Sequence, residues 1–336
     1  MDTAPSEPDP SSDDGSSGHP ATTRRADFDA RAQAARHDLE AQLRAQRARI
    51  EAGNQKLTAR TGRNLPAAIG IGVGLGGSVL VSLILIKALF MIVAAILILF
   101  MVIELTSALR FAGRDVPRIP SAVVAVAVVP AAFFWGAEGQ WLTLLGGIVV
   151  ISLWRIVSGL APARRAAART SAVELWRDLG TGAFVQIYTT FLGSFLVLLT
   201  AQDGGQWWAL GTLIVVIAVD TGAYATGLNF GKHPMAPRIS PKKTWEGFAG
   251  SLAAAMVAGI LISLFMIHEP WWLGLVLGAV LTFTATVGDL TESLIKRDLG
   301  IKDISTWLPG HGGFLDRLDS TLPSAVVAYA LYLIFT

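Results

Sequence analysis

The stretch "ALFMIVAAILILFMVIELTSAL", residues 88–109, decides the class of fold. It has 22 residues and a single charged side chain, Glu104. About 20 consecutive apolar residues allow an α-helix to cross a bilayer, so this stretch predicts a membrane-spanning helix. A continuous apolar run also lacks the alternation of a membrane barrel strand, and helices satisfy their own backbone hydrogen bonds in lipid. Lys87 is the only clear break between this segment and the apolar run before it.

The composition of the whole chain agrees with this interpretation. The 336 residues are 52% hydrophobic and only 15% charged, whereas soluble domains carry about 25% charged residues. The chain has no cysteine, which excludes disulfides, thiolate catalysis and cysteine-ligated zinc. The sequence therefore predicts a polytopic membrane protein.

We predict an all-α fold with about nine transmembrane helices. The predicted segments are 66–86, 88–109, 119–136, 140–158, 179–199, 206–227, 246–267, 271–291 and 317–336.

Positive charge gives this topology an orientation. With a cytoplasmic N-terminus, 26 of the 27 Lys and Arg residues fall on the cytoplasmic side, and Lys87 alone lies outside. Cytoplasmic loops of membrane proteins carry an excess of Lys and Arg, so this orientation is favoured. The same count supports nine spans, because a missed or extra helix would scatter the charges.

The first 65 residues differ in composition from the rest of the chain. We predict that they form a cytoplasmic tail and that residues 66–336 form a membrane domain. Residues 1–23 are rich in Pro, Ser, Gly and Asp, a composition typical of disorder. Residues 24–63 are basic, and Leu43, Ile50 and Leu57 repeat every seven residues. This repeat fits a short coiled coil, a helix on the membrane surface or a solvated basic helix. The tail has no apolar segment of the kind found in a signal peptide.

One glycine motif matches the sequence pattern of a dinucleotide-binding site. "GVGLGG", with Gly72, Gly74 and Gly77, fits G-x-G-x-x-G, but that fingerprint requires a strand, a turn and a helix. Here the motif lies inside a predicted membrane helix. Glycines four residues apart also allow helices to approach closely, so we interpret them as packing residues.

The loop between predicted helices six and seven contains a first set of polar residues. Asp220 and Tyr224 share one face at the end of helix six, where a carboxylate is costly without a cation. Lys242 and Lys243 precede helix seven, which Ser240-Pro241 could start. Adjacent lysines beside a helix N-terminus suit phosphate, although they also suit a simple membrane anchor with a helix cap.

The loop between helices eight and nine contains a second set. Asp289, Glu292 or Ser293, and Lys296 follow helical spacing. His311 lies between two glycines, where backbone can approach a ligand closely. Asp316 and Asp319 are expected on one face at the start of helix nine, with Arg317 facing away from them.

These helix ends should meet on the cytoplasmic side of the C-terminal half, about 206–336. Four clustered aspartates would repel one another unless cations neutralise them. Mg²⁺ is typically held by a few carboxylates together with substrate phosphates. Carboxylates for a metal beside lysines and arginines for phosphate indicate phosphoryl or nucleotidyl transfer. A set of helix caps and interface ion pairs is the alternative explanation.

The segment "SLIKRDLGIKDISTWLPGHGGFLDRLD", residues 293–319, resembles the signature of the phosphatidate cytidylyltransferase family. The blocks "DTGAYATG", "FGKHPMAPRISPKKTWEG" and "GDLTESL" are similar to flanking parts of that family, and the resemblance is detailed from about 220 to 320. It implies transfer of CMP from CTP to phosphatidic acid, giving CDP-diacylglycerol and pyrophosphate.

The resemblance also implies roles for individual residues. The expected catalytic residues are Asp289, Asp316, Asp319 and Lys243. The expected substrate-binding residues are Lys242, Lys243, Lys296, Arg297, His311 and Arg317. The expected ligands of Mg²⁺ or a similar divalent ion are Asp220, Asp289, Asp316 and Asp319.

The resemblance further implies a multi-pass enzyme of the cell membrane with its active site on the cytoplasmic face. A second, monovalent cation and a homodimer are implied in the same way, and no nucleic acid partner is expected. Two alternatives stay open: a CTP-dependent transferase for another lipid phosphate, and a cation-coupled transporter. Transporter sites lie near the bilayer midplane, whereas these acids are predicted at cytoplasmic helix ends.

Overall fold

The computed structural model describes residues 65–159, 171–305, 307–308 and 312–336. Predictions for the N-terminal tail, including its heptad repeat, and for His311 therefore lie outside the described residues.

The described chain is built almost entirely of helices. The elements in chain order are α1 (Leu65–Leu85), α2 (Lys87–Phe111), α3 (Arg118–Gly159), α4 (Ala172–Val185), a π-helical turn (Gln186–Phe191), α5 (Leu192–Ala201), α6 (Gly205–Phe230), β1 (Pro234–Ala236), β2 (Ser240–Thr244), α7 (Trp245–Ile262), a second π-helical turn (Ser263–Ile267), α8 (Trp271–Asp298), α9 (Leu315–Leu318) and α10 (Thr321–Phe335).

The predicted all-α membrane class is confirmed. Within the described ranges, seven helical segments are long and apolar enough to cross a membrane. Three of them join adjacent elements: Ala172–Ala201 joins α4 to α5, Trp245–Ile267 joins α7 to the second π-helical turn, and Leu315–Phe335 joins α9 to α10. Helix α1 contributes a shorter apolar helix at Gly72–Leu85. One of the seven, α3, has 42 residues and is interrupted at Gly136, whose backbone is not helical (φ 64°, ψ −151°). The total of nine spans and the cytoplasmic N-terminus stay predictions.

Several helix boundaries differ from the predicted ones for identifiable reasons. Helix α4 begins at Ala172 rather than 179, because Ser171 and Glu174 form a reciprocal capping box. Helix α8 continues to Asp298 rather than ending at 291. Its polar extension includes the pair of Glu292 and Lys296, four residues apart, a spacing that supports a helix.

The glycine motif in α1 lies inside a continuous helix, so the strand and turn of a dinucleotide site are absent there. Our packing interpretation finds no support among the described residues. A Cβ atom added at Gly74, Gly76 or Gly77 would meet no atom within 4 Å.

Glycines do bring helices together at another place, between α7 and α8. A Cβ atom at Gly278 would lie 2.5 Å from the backbone oxygen of Ala255, and one at Gly274 would collide with Gly259. Such contacts require bare backbone on both helices. The crossing fixes α8 against α7, whose N-terminus directly follows β2.

Candidate active site

A cleft of about 480 Å³ lies where the C-terminal halves of α6 and α8 meet β2, the start of α7 and α9. Its volume is in the range of pockets that hold small ligands. The cleft is lined by both signs of charge. Its described acidic residues are Asp220, Asp289, Glu292, Asp316 and Asp319, and its basic residues are Lys242, Lys243, Lys296 and Arg317.

The charged residues form two groups, and the first is centred on Lys243. The Lys243 Nζ atom lies 2.5 Å from Oδ2 of Asp289, which joins β2 to α8. Asp220 and Asp319 interact electrostatically with both Lys243 and Asp289. Asp319 is 7% exposed, and its Oδ1 atom accepts the backbone N–H of Ser320 at 2.7 Å. This group therefore combines three carboxylates with one ammonium in the same cleft.

The second group is centred on Lys296. Its Nζ atom lies 2.5 Å from Oε2 of Glu292 and 3.3 Å from Oδ1 of Asp316. The other Asp316 oxygen accepts the N–H of Gly313 at 2.8 Å. Asp316 and Asp319 therefore line the same cleft but have different immediate partners.

Lys242 and Lys243 are carried by a small antiparallel hairpin formed by β1 and β2. Both lysines belong to β2, so our expectation that Ser240-Pro241 could start helix seven is wrong. Thr244 is the N-cap, and its hydroxyl accepts the N–H of Gly247 at 3.1 Å. Pairing with β1 keeps 240–244 extended.

The base of the hairpin is tied to α7 by Glu246. One oxygen of this carboxylate accepts the N–H groups of Lys232 and His233 at 3.1 and 3.2 Å. The other oxygen lies 2.5 Å from Nδ1 of His233. Together with the N-cap, these contacts hold the two lysines over the cleft.

The predicted basic residues are not all placed alike. Lys242, Lys243 and Lys296 line the cleft, as does Arg317, which we expected to face away. Arg297 is exposed beside the cleft, and its Nε atom donates to the backbone oxygen of Ile239 at 3.3 Å. The role of Arg297 in binding substrate stays a prediction.

The carboxylates fit a divalent cation by donor type but do not form a ready cage. Among the described residues, no group of three or more His, Asp or Glu side chains is arranged to hold a metal ion. However, the exposed Asp220 carboxylate forms no hydrogen bond or ion pair within the described chain and lines the cleft. Mg²⁺ usually takes one or two carboxylates, several waters and substrate phosphates, and this donor set suits that mode of binding.

Two buried glutamates were not predicted among the site residues. Glu292 is 1% exposed and lines the cleft; its helical spacing from Lys296 was the available signal. Glu104, also 1% exposed, contacts the loop before α9. The sequence shows only that Glu104 is an isolated acid in an apolar helix, which gives no indication of a partner 210 residues away.

Taken together, the cleft can neutralise an anionic ligand and hold a hard cation beside it. The five acids and four bases among its described lining residues nearly balance. A polyphosphate bound there would bring further negative charge, which a divalent cation could offset.

Comparison with known proteins identifies cytidylyltransferases as relatives of this chain. The model of the cytidylyltransferase family matches residues 66–335. A phosphatidate cytidylyltransferase of Mycobacterium leprae is 40% identical over 280 residues, which cover 82% of this chain and 90% of that protein. The protein of the same name from Mycobacterium tuberculosis strain H37Rv is 39% identical over 273 residues, or 81% and 83% of the two chains. The Pseudomonas aeruginosa phosphatidate cytidylyltransferase is 42% identical over 160 residues, covering 47% of this chain and 58% of its own. This chain belongs to the cytidylyltransferase family.

Proposed function

We propose that the protein is a phosphatidate cytidylyltransferase, which joins phosphatidic acid to CTP and releases pyrophosphate. The observation that carries the proposal is the cleft, where five acidic and four basic side chains meet within a chain of this family. The names of relatives that share about 40% of their residues over most of the chain support the same substrates.

In the proposed reaction, an oxygen of the lipid phosphate attacks the α-phosphorus of CTP. The bond from that phosphorus to the oxygen bridging the α- and β-phosphates breaks, and pyrophosphate leaves with the electron pair. The product is CDP-diacylglycerol. Catalysis then consists mainly of positioning the two phosphates and neutralising their charge.

The basic side chains of the cleft would perform much of that neutralisation. Lys242 and Lys243, on the hairpin, would bind phosphates of CTP or of the lipid. Lys296 and Arg317 would stabilise charge on pyrophosphate or on the lipid phosphate. We extend the same role to Arg297, which lies beside the cleft, and assign His311 to the nucleotide pocket.

The acidic side chains would hold a divalent cation such as Mg²⁺, which when bound would neutralise triphosphate charge. The proposed ligands are Asp220, Asp289, Asp316 and Asp319. Asp220 is our first choice, because Asp289 is paired with Lys243 and Asp316 is paired with Lys296 and accepts a backbone N–H. We also propose that a second, monovalent cation takes part.

We further propose that residues 66–336 form the membrane enzyme, that the cleft faces the cytoplasm and that the protein acts in the cell membrane as a homodimer. The concentration of Lys and Arg in the predicted cytoplasmic loops supports this orientation.

The test is an assay of the purified protein in detergent with labelled CTP and a panel of lipid phosphates. We expect CDP-diacylglycerol from phosphatidic acid only when Mg²⁺ or a similar ion is present. Asp289→Asn and Asp316→Asn should abolish turnover without unfolding the protein. Turnover that survives both substitutions would overturn the mechanism, and preference for an isoprenoid phosphate would change the substrate.

A further inference from the structure

We propose that Glu104 is a positioning residue that fixes the segment carrying Asp316 and Asp319, an inference that rests on the function proposed above. Glu104 lies on α2, far from the cleft in sequence. One of its oxygens, Oε1, accepts the Ser305 hydroxyl at 2.5 Å and the Phe314 N–H at 3.0 Å. The other, Oε2, accepts the Leu315 N–H at 3.0 Å.

A buried carboxylate in an apolar helix is costly unless donors compensate for the lost water. Glu104 is 1% exposed, and its three donors belong to Ser305, Phe314 and Leu315. The N–H groups at the start of a helix have no partner within that helix. Glu104 supplies an acceptor to two of them at the start of α9, and these bonds are strengthened by its charge.

The contact is specific to the local shape of the loop. A Cβ atom on Gly313 would lie 2.9–3.0 Å from both Glu104 oxygens, so only glycine allows the carboxylate to approach this closely. The N–H of the same Gly313 donates to Asp316 at 2.8 Å. One residue therefore contacts Glu104 on one side and holds a carboxylate of the cleft on the other.

Helix α2 also fixes the loop through an aromatic contact one turn from Glu104. Phe100 stacks on Phe314 with ring centroids 4.8 Å apart, and Trp307 meets Phe100 edge to face at 5.6 Å. The apolar contacts determine how closely the loop approaches α2. The directional bonds to Glu104 then determine how the first turn of α9 is rotated, and hence where Asp316 and Asp319 point.

The test compares Glu104→Gln with the wild-type protein. Glutamine keeps the size of the side chain but removes its charge and turns an N–H₂ group toward backbone donors. We expect kcat to fall by about 100-fold, or about 2.7 kcal/mol of barrier, with KM for CTP and phosphatidic acid changed less than about threefold. Glu138→Gln, which removes an exposed acid from α3, should leave kcat unchanged.

Hydrogen exchange of the amides in 312–319 provides a readout that does not depend on activity. We expect faster exchange there in Glu104→Gln and no change in Glu138→Gln. If Glu104→Gln fails to fold, Gly313→Ala tests the same contact from the other side and should give the same loss of kcat. Wild-type kcat together with wild-type exchange in Glu104→Gln would overturn the proposal. An inactive wild-type protein would instead refute the proposed function, while exchange would still test Glu104.

Discussion

Lys243 and Asp289 connect two parts of the chain that are 46 positions apart, and their charged atoms lie 2.5 Å from each other. Lys243 belongs to a hairpin before α7, whereas Asp289 lies within α8. The ion pair therefore closes a loop that includes all of α7 and the crossing of α7 with α8.

We predict that Lys243→Ala will lower kcat/KM by about 100-fold, because it removes a cleft cation and leaves the half-buried Asp289 unpaired. The double variant Lys243→Ala/Asp289→Asn should lose less stability than the two single variants together, since the partners interact directly. Thermal unfolding of the four proteins in detergent measures this coupling, because Asp289→Asn by itself is expected to abolish turnover.

The control for this cycle is Lys232→Ala, which removes an exposed lysine just before β1 that is not among the cleft's described lining residues. It should keep nearly full activity. Equal losses in Lys232→Ala and Lys243→Ala would indicate that general surface charge, rather than the ion pair, is what matters.

We predict that Gly278→Ala will destabilise the protein by about 1–3 kcal/mol, the usual cost of overpacking, and will lower activity. The new methyl group would lie 2.5 Å from the Ala255 oxygen and push α8 away from α7. Gly146→Ala is the matched control, because a Cβ atom there meets nothing within 4 Å. Thermal unfolding in detergent compares the two, and equal midpoints would contradict the proposed crossing.

A third prediction concerns a buried ion pair away from the cleft. Arg155 donates twice to one oxygen of Asp178, at 3.0 and 2.7 Å. Asp178→Asn removes the closer of two carboxylates from the buried Arg155 guanidinium, and Asp115 stays 3.5 Å from its Nε atom. We therefore expect a loss of about 2–3 kcal/mol, the cost of losing hydrogen bonds to a charged group. Glu174→Gln, in the exposed capping box of the same helix, should cost far less, because water replaces the lost contacts. The midpoint of thermal unfolding should therefore fall much further in Asp178→Asn.

We predict that Glu246→Gln will loosen the hairpin, because the charged acceptor for two backbone N–H groups is lost. Amides in 232–244 should exchange faster, and KM for CTP should rise by roughly tenfold, the effect of about one hydrogen bond to a charged group. Glu269→Gln, a loss of charge outside the hairpin, should do neither. Unchanged exchange in Glu246→Gln would show that the strand pairing alone holds the hairpin.

The membrane class and most helix positions follow from the sequence, because hydrophobic length is a local property that each segment carries by itself. The same holds for the face shared by Asp220 and Tyr224, both of which line the cleft. Helical spacing in the sequence likewise groups Asp289 with Lys296, and both residues line the cleft as well.

Contacts between distant segments could not be predicted in this way. Lys243 reaches Asp289 because residues 240–244 are extended. Their own sequence does not specify a strand, and pairing with β1 keeps them extended. The different partners of Asp316 and Asp319 depend on Lys296, which lies 20 positions before Asp316. The contacts of Glu104 with Ser305, Phe314 and Leu315 depend on how α2 packs beside the last helices. Nothing near Glu104 in the sequence indicates that geometry.

The two lysine-centred groups have a thermodynamic consequence for ligand binding. Each lysine already serves as the counter-ion of one or two acids, so a phosphate that takes the lysine leaves those acids uncompensated. An added cation beside the acids removes that cost. Cation and nucleotide should therefore each raise the affinity of the cleft for the other, and by linkage the two effects are equal. The cleft would then bind the two as a pair far better than it binds either one by itself.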